Sequence, residues 1–514
     1  MKKENIFAIL IALVVLIFIN LPIFYFFVFH QSNLVFLGRR SLNPEDTYPL
    51  VSLIEQAKQG KILFANLYTS EVQIPSLFMP SYLLIGSVAA LFNISSIAAF
   101  QGARIIFSIL LFFVIYKFLY KFFDKPNERL LAFIIVLTSS GFGFLLNKIA
   151  SASSDLWMPG SNTFLTLEDA PYIILSQILM MSGFYLFLNF IEKKKVIYIV
   201  GSSILFLFLS FEYPFSILVT APTILFTCIL SGLPIFKSVL IFLVSSFGIV
   251  NFVIEMHKDT FIKFWQSANI LQSPSPTSYL AGYGLLIILA LVGIEQFMKK
   301  NRISEKLIVI WVFFCIALLY LPFTFQGRMI NGLHIPISIL ATCGLIKIIS
   351  MIKKPWSKVV IITSLIILAL TPVYSVVRDF ENIAKESPQV DYFFISKPEI
   401  QALNWLKNQT NSNDIILANW TYGNIIPGIT GRKVFLGHQF WTVSFEQKVQ
   451  LINTLLLNNN PTAVSLVLKE NGITYIFLGI NDSMITYGFK PESEPFLQKV
   501  YSKDGVSIYK VIPY

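Results

Sequence analysis

Apolar runs of roughly 17–24 residues follow one another along the first three quarters of the chain, each long enough to cross a bilayer as a helix. Backbone N–H and C=O groups find no water in hydrocarbon, so a chain with many such runs must satisfy them internally, as a bundle of helices. The runs lie near residues 6–29, 103–121, 129–146, 171–191, 196–211, 214–231, 235–256, 279–297, 307–325, 333–350 and 358–376. They predict a polytopic α-helical membrane protein with about 11 transmembrane helices. Charged residues make up only 13% of the 514, about half the share usual in globular chains. The depletion ends near residue 376, so two parts are expected. One is a transmembrane module over 1–376 with a long first outer loop over 30–102, and the other a C-terminal α/β domain over 377–514.

The net charge of +11 comes from 39 Lys and Arg against 28 Asp and Glu. Most of the basic residues sit in short loops between apolar runs, which points to membrane topology and away from nucleic acid. The apolar segment 79–98 decides the orientation. If it lies along the membrane surface as a juxtamembrane helix, the N-terminal lysines, Lys117–Arg129, Lys193–Lys195, Lys237, Lys299–Lys306 and Lys353–Lys358 all fall on one side. The positive-inside rule makes that side cytoplasmic. The loops 30–78, 147–170 and 257–278 and the C-terminal domain then face outward, in a multi-pass protein of the plasma membrane with a cytoplasmic N-terminus. The first run is longer than a signal-peptide core and lacks a small-residue cleavage site, so it reads as an uncleaved span. Cys228, Cys315 and Cys343 lie inside apolar runs and suggest neither a disulfide framework nor a metal cluster.

In the C-terminal part, 398–409, 445–457 and 462–471 have helical periodicity, while 414–418, 433–436, 474–478 and 506–511 read as strands. No glycine-rich phosphate loop opens any of these helices, and no catalytic triad spacing is visible. Asn408-Gln-Thr410 and Asn419-Trp-Thr421 match the glycosylation acceptor pattern, a short and unspecific signal.

Carboxylates near spans need a reason, because one at the bilayer centre costs about 2.5–3.5 kcal/mol on insertion scales. On this topology Glu45, Asp46, Asp155, Glu168, Asp169, Glu212 and Glu255 gather at the outer surface, with Arg104, Arg328, His257 and His334. The densest stretch is Asn43-Pro44-Glu45-Asp46-Thr47-Tyr48. Proline and acids favour a first helical turn, so a plain helix start accounts for it. A carboxylate pair at the membrane face serving as general base accounts for it too. Glu212 also fits a tight outer turn, Arg328 a snorkelling side chain, and His334 an interfacial residue.

The layout resembles the GT-C class of membrane glycosyltransferases, in particular relatives of protein O-mannosyltransferases and aminoarabinose transferases. Three stretches carry the likeness. The first is one span followed by Glu45-Asp46, a helix over 47–59, and Gly60-Lys61-Ile62-Leu63-Phe64-Ala65-Asn66. The second runs from Asp155-Leu156-Trp157 to Glu168-Asp169-Ala170-Pro171-Tyr172. The third runs from Ala402-Leu403-Asn404-Trp405-Leu406 through Gly423-Asn424 to Gly431-Arg432 and Gly437-His438.

The resemblance implies sugar transfer from a polyprenyl-phosphate-linked donor to an acceptor on the outer face, by an inverting route. Asp46 would be the general base, with Glu45 as the fallback carboxylate. Arg328, then Arg104, would stabilise the leaving phosphate. Glu212, Asp155, Glu168 and His334 would line the substrate site, and His438 and Arg432 could contribute from the C-terminal domain. The acceptor is open among glycan, lipid and protein. No metal ligand stands out, and the need for a divalent ion is left open. A non-enzymatic glycolipid or polysaccharide translocase or binding protein is the alternative.

Overall fold

The computed structural model describes residues 3–77, 79–146, 148, 153–258, 263–264, 267–385, 392–456, 461–480, 482, 484 and 489–512. Met1 and Lys2, parts of the loops expected at 147–170 and 257–278, and Leu457 at the end of an expected helix lie outside the described residues. The chain folds into two compact units. The first takes in Met1–Pro22, Ala103–Val253 and Ile270–Glu381, and the second Ile23–Gly102, Ile254–Asn269 and Asn382–Tyr514.

In chain order the described helices begin with α1 (Lys3–Val28), α2 (Thr47–Lys58), α3 (Ser81–Leu91), α4 (Ser96–Leu119), α5 (Pro126–Thr138) and the short α6 (Thr163–Glu168). Then come α7 (Pro171–Lys193), α8 (Val196–Glu212), α9 (Phe215–Leu230), α10 (Phe236–Lys258), α11 (Pro276–Tyr283), α12 (Leu285–Met298), α13 (Ile303–Leu318), α14 (His334–Ser350) and α15 (Lys354–Lys385). A helix or bent helix pair occupies each of the apolar runs read from the sequence. Among the described residues, six helices are long and apolar enough to cross a membrane, or seven if α11 and α12, bent by 81°, form one span. The expectation of about 11 exceeds this because α8, α9, α13 and α14 hold only 16–17 residues. At about 1.5 Å per residue that falls short of a hydrocarbon core about 30 Å thick. Several such helices still make this a multi-pass membrane protein, and α1, α10 and α15 turn large apolar side chains such as Phe24, Phe247 and Ile366 outward.

In the first unit, α12 and α14 touch backbone to backbone. A Cβ on Gly344 would stand 1.8 Å from the Leu289 carbonyl oxygen, and one on Gly293 2.3 Å from that of Leu340. Only glycine allows this approach, the small-residue packing expected where apolar solvent gives helices no hydrophobic drive to associate. Several charged residues of this unit are paired. Arg129 pairs with Glu4 at 2.7 Å, Lys121 with Glu192 at 2.6 Å, and Lys347 with Glu295 at 3.5 Å. Lys300 and Arg302 donate to the Phe122 carbonyl, and Lys306 to that of Leu230.

The second unit carries a five-stranded mixed sheet in the order β4-β3-β5-β7-β6. Its strands are β3 (Ile415–Leu417), β4 (Lys433–Val434), β5 (Ile473–Leu478), β6 (Leu497–Lys503) and β7 (Val506–Val511). β3 runs parallel to β4 and β5, while β7 runs antiparallel to β5 and β6. Around the sheet lie α16 (Lys397–Gln409), α17 (Trp420–Thr430), α18 (Phe445–Leu456) and α19 (Pro461–Glu470). α16 opens with a full capping box, Ser396 to the Glu399 N–H and the Glu399 carboxylate back to Ser396. A two-stranded ribbon pairs β1 (Leu34–Phe36) with β2 (Phe394–Ser396). α2 packs against α3 and α17. Its buried Glu55 accepts from Lys407 at 2.5 Å and from Ser96 at 2.6 Å.

Candidate functional site

The acidic pair of the second unit sits where backbone sterics bend the chain into α2. Asn43 adopts a left-handed conformation (φ 48°), which Asn tolerates better than most residues. Pro44 then fixes a single 3₁₀ turn over Pro44–Asp46, and α2 follows. A plain helix start would have the Asp46 carboxylate capping a backbone N–H, and Asp46 makes no capping hydrogen bond. Its Oδ1 lies 3.0 Å from Nε2 of His438, which is buried, while the Asp46 side chain is 54% exposed.

The histidine tautomer follows from its other nitrogen. The Phe440 N–H donates to His438 Nδ1 at 3.1 Å, so Nδ1 offers a lone pair. The proton of the neutral ring is therefore on Nε2, and His438 donates to Asp46. Among the described residues Oδ2 of Asp46 has no hydrogen-bond partner, so one carboxylate oxygen is held and the other is open.

Glu45 is fixed on both its side chain and its backbone. Tyr392 donates to its Oε1 at 3.2 Å, and Asn424 Nδ2 to its carbonyl at 3.2 Å. Asn424 in turn accepts from the buried Arg39 guanidinium at its side chain and from Tyr68 at its carbonyl. Arg39 also donates to the Tyr392 carbonyl at 3.0 Å and stacks on the Tyr48 ring at 4.5 Å. Burial pulls Arg39 below its ordinary value, opposed by Tyr48, Tyr68 and Glu45, and guanidinium keeps its charge through such a shift. Burial pushes the Tyr48 phenol up to about 12, so it stays a donor, here to the Leu37 carbonyl.

The remaining candidates belong to the first unit. Asp155 is buried and accepts from Ser140 at 2.7 Å, from the Gly141 N–H at 2.9 Å and from Ser153. Glu168 is buried and accepts from Ser375 at 2.7 Å. Glu212 is buried at the end of α8. His334, also buried, opens α14 with Nδ1 2.9 Å from Thr163 Oγ1 and Nε2 3.2 Å from Ser139 Oγ. Arg104 is buried and donates to the Leu167 carbonyl at 2.8 Å and to Asn20. Arg328 is partly exposed, lies over the Phe215 ring at 5.1 Å, and reaches the Tyr213 hydroxyl. Asp155 and His334 thus join one polar network at a single end of the unit, continued by Asn162, which donates to the Ser139 carbonyl. Along α9, hydroxyls instead bond to their own helix, as Thr223 and Thr227 do.

His438 was visible in the sequence only through the family likeness, while Arg39, Tyr392 and Asn424 gave no chemical signal. Arg432 proves to be occupied, donating to Thr410 Oγ1 and to the Lys407 and Thr410 carbonyls at the end of α16. Asn419, part of a glycosylation pattern, caps α17 and bonds Asp482 at 3.1 Å. Among the described residues no three His, Cys, Asp or Glu side chains gather closely enough to hold a metal ion.

No protein-family model and no curated protein matches the chain. Solved structures do, among them two GT-C glycosyltransferases. The Archaeoglobus fulgidus oligosaccharyltransferase in complex with Zn and sulfate aligns with a TM-score of 0.55 at 14% identity, over 99% of this chain and 74% of that one. The same organism's AglB, in complex with an inhibitory peptide and a dolichol-phosphate, gives 0.52 at 12%, over 91% and 69%. ArnT from Cupriavidus metallidurans bound to undecaprenyl phosphate gives 0.51 at 11%, over 98% and 97%. At these identities the likeness is one of fold.

Proposed function

We propose that this protein is a glycosyltransferase that moves a sugar from a polyprenyl-phosphate-linked donor to an acceptor hydroxyl on the non-cytoplasmic face of the membrane. The observation that carries the reading is the half-exposed Asp46 carboxylate, held at one oxygen by buried His438 and open at the other. The fold shared with an ArnT bound to undecaprenyl phosphate and an AglB bound to a dolichol-phosphate supports the donor class.

In the inverting reaction Asp46 Oδ2 takes the acceptor proton as the acceptor oxygen bonds to the anomeric carbon. The bond from that carbon to the phosphate oxygen breaks on the opposite side, and the phosphate leaves with the electron pair. His438 keeps Oδ1 occupied, so the proton goes to the open oxygen. Glu45, tied to Tyr392 and Asn424, fixes the turn that presents Asp46. Arg328 is the proposed phosphate partner, because a guanidinium binds phosphate through two parallel bonds. Arg104, already donating to a carbonyl and an amide, ranks behind it.

The test is transfer by the purified protein in nanodiscs, from polyprenyl-phosphate donors carrying different sugars. Asp46→Asn should remove turnover while donor binding persists. Arg328→Lys should raise the donor KM about tenfold, a loss of about 1.4 kcal/mol for one of two bidentate bonds. A folded, donor-binding Asp46→Asn protein with full transfer would discard Asp46 as the base. Donor affinity untouched by Arg328→Lys would discard that assignment alone.

A further inference from the structure

A groove of about 380 Å³ runs between α1 and α4 in the first unit and is almost wholly apolar. Ala8 and Ala12, one turn apart on α1, leave the space that larger side chains would fill. Leu16 of α1 and Ile109 and Phe113 of α4 line the rest. From Asn5 to Leu16 it follows the helix for about 16 Å at 1.5 Å per residue, the dimension of a length of acyl chain.

One end is polar, and its charges do not balance. Glu4 accepts from Arg129 at 2.7 Å and from Tyr120 at 3.0 Å. Lys121 is taken by Glu192 and Asn189. Lys117 is exposed at the mouth, 5.5 Å from the Phe113 ring centre and 6.0 Å from that of Tyr120. Among the described residues no carboxylate pairs with it. A hydrocarbon slot closed at one end by an uncompensated ammonium has the complementarity of one amphiphile: an apolar tail under an anionic head.

We infer that the α1–α4 groove binds an anionic phospholipid, one acyl chain in the slot and the headgroup phosphate on Lys117. The inference does not depend on the transferase reading. Lys117 lies among basic residues: Arg129 stacks on the same Tyr120 ring, and Lys300 and Arg302 donate to the Phe122 carbonyl nearby. Anionic lipids concentrate on the side of a membrane where such residues are found.

The experiment uses the full chain in nanodiscs doped with phosphatidylglycerol or phosphatidylcholine, each carrying a photoreactive group in one acyl chain, and maps the crosslinks. The phosphatidylglycerol probe should label groove residues of α1 and α4. Lys117→Glu should cut that labelling at least about fivefold, the worth of one basic residue at an anionic surface, and Ala12→Phe, which fills the slot, should abolish it. If Ala12→Phe does not fold, Lys117→Glu still decides, since that side chain is at the surface. Equal labelling by both probes, or labelling indifferent to Lys117→Glu, overturns the inference. So does displacement of the probe by glycerol phosphate, which would mean a headgroup site needing no groove. Displacement by undecaprenyl phosphate at stoichiometric amounts would assign the slot to a different lipid and overturn it as well.

Discussion

Two buried histidines divide the polar chemistry of the molecule. In the first unit His334 has both ring nitrogens against hydroxyls, Thr163 and Ser139, inside a network that includes no half-exposed carboxylate. In the second unit His438 has one nitrogen on a backbone N–H and the other on a carboxylate that faces outward. The first arrangement joins segments of chain to one another. The second holds one oxygen of a charged group and leaves its partner oxygen for something else to use. Buried polar clusters of similar composition can therefore carry different burdens: loss of the first should be felt in stability, and loss of the second in rate.

The sharpest way to break this contrast is Asp46→Asn. Transfer should fall about 10²–10⁴-fold, the usual worth of a positioned general base, with no change in the thermal midpoint. Next is Asp155→Ala in the first unit, which orphans the Ser140, Ser153 and Gly141 donors. At about 1–3 kcal/mol per unsatisfied buried group, it should lower the unfolding midpoint strongly in detergent, with turnover per folded molecule kept. A variant of Asp155 that lost rate but not stability would erase the division between the units.

Smaller effects refine it. His438→Ala should slow transfer about tenfold to a hundredfold, matching one hydrogen bond to a charged group. Asp155 also predicts a pH signature. Burial holds its carboxyl above the usual carboxylate range, against the pull of Ser153, Ser140 and the Gly141 N–H. As pH rises past about 4 the unfolded chain releases this proton first. The folded state then binds more protons than the unfolded one, so stability falls through that window until the folded group also ionises. Asp155→Asn should remove that slope in midpoints measured upward from about pH 4. Smallest of all, Tyr392→Phe deletes one 3.2 Å bond to Glu45 and should cost less than about tenfold in rate.

Much of the fold was legible from the chain. The apolar runs became helices, and α16 begins at the Ser396–Glu399 box, one residue before the expected proline. α17 was not read, because Gly423, Pro427 and Gly428 all weaken a helix. Its packing requires one of them: a Cβ on Gly423 would sit 2.0 Å from the Leu436 carbonyl oxygen. That helix carries Asn424, so missing it meant missing the support beneath Glu45. Asp46 could be singled out by its place after the first span. Its partner could not, since His438 is 392 residues away and only the folded sheet unit delivers it. Spacing carries local chemistry well, and distant pairings only through the fold.

The bare contact of Gly293 with Gly344 has a further consequence. Two helices that meet through side chains can slide past each other and repack. Two that meet at glycines are indexed like a key and its notch, because a shift of one residue, about 1.5 Å, would drive the Cβ of Cys343 or Leu345 toward a carbonyl now 1.8 Å from the ideal Cβ position at Gly344. α14 begins at His334, so this notch sets the height at which the histidine meets Thr163 and Ser139. The axial gauge of the polar network is thus cut three turns away, in a place with no polar side chain.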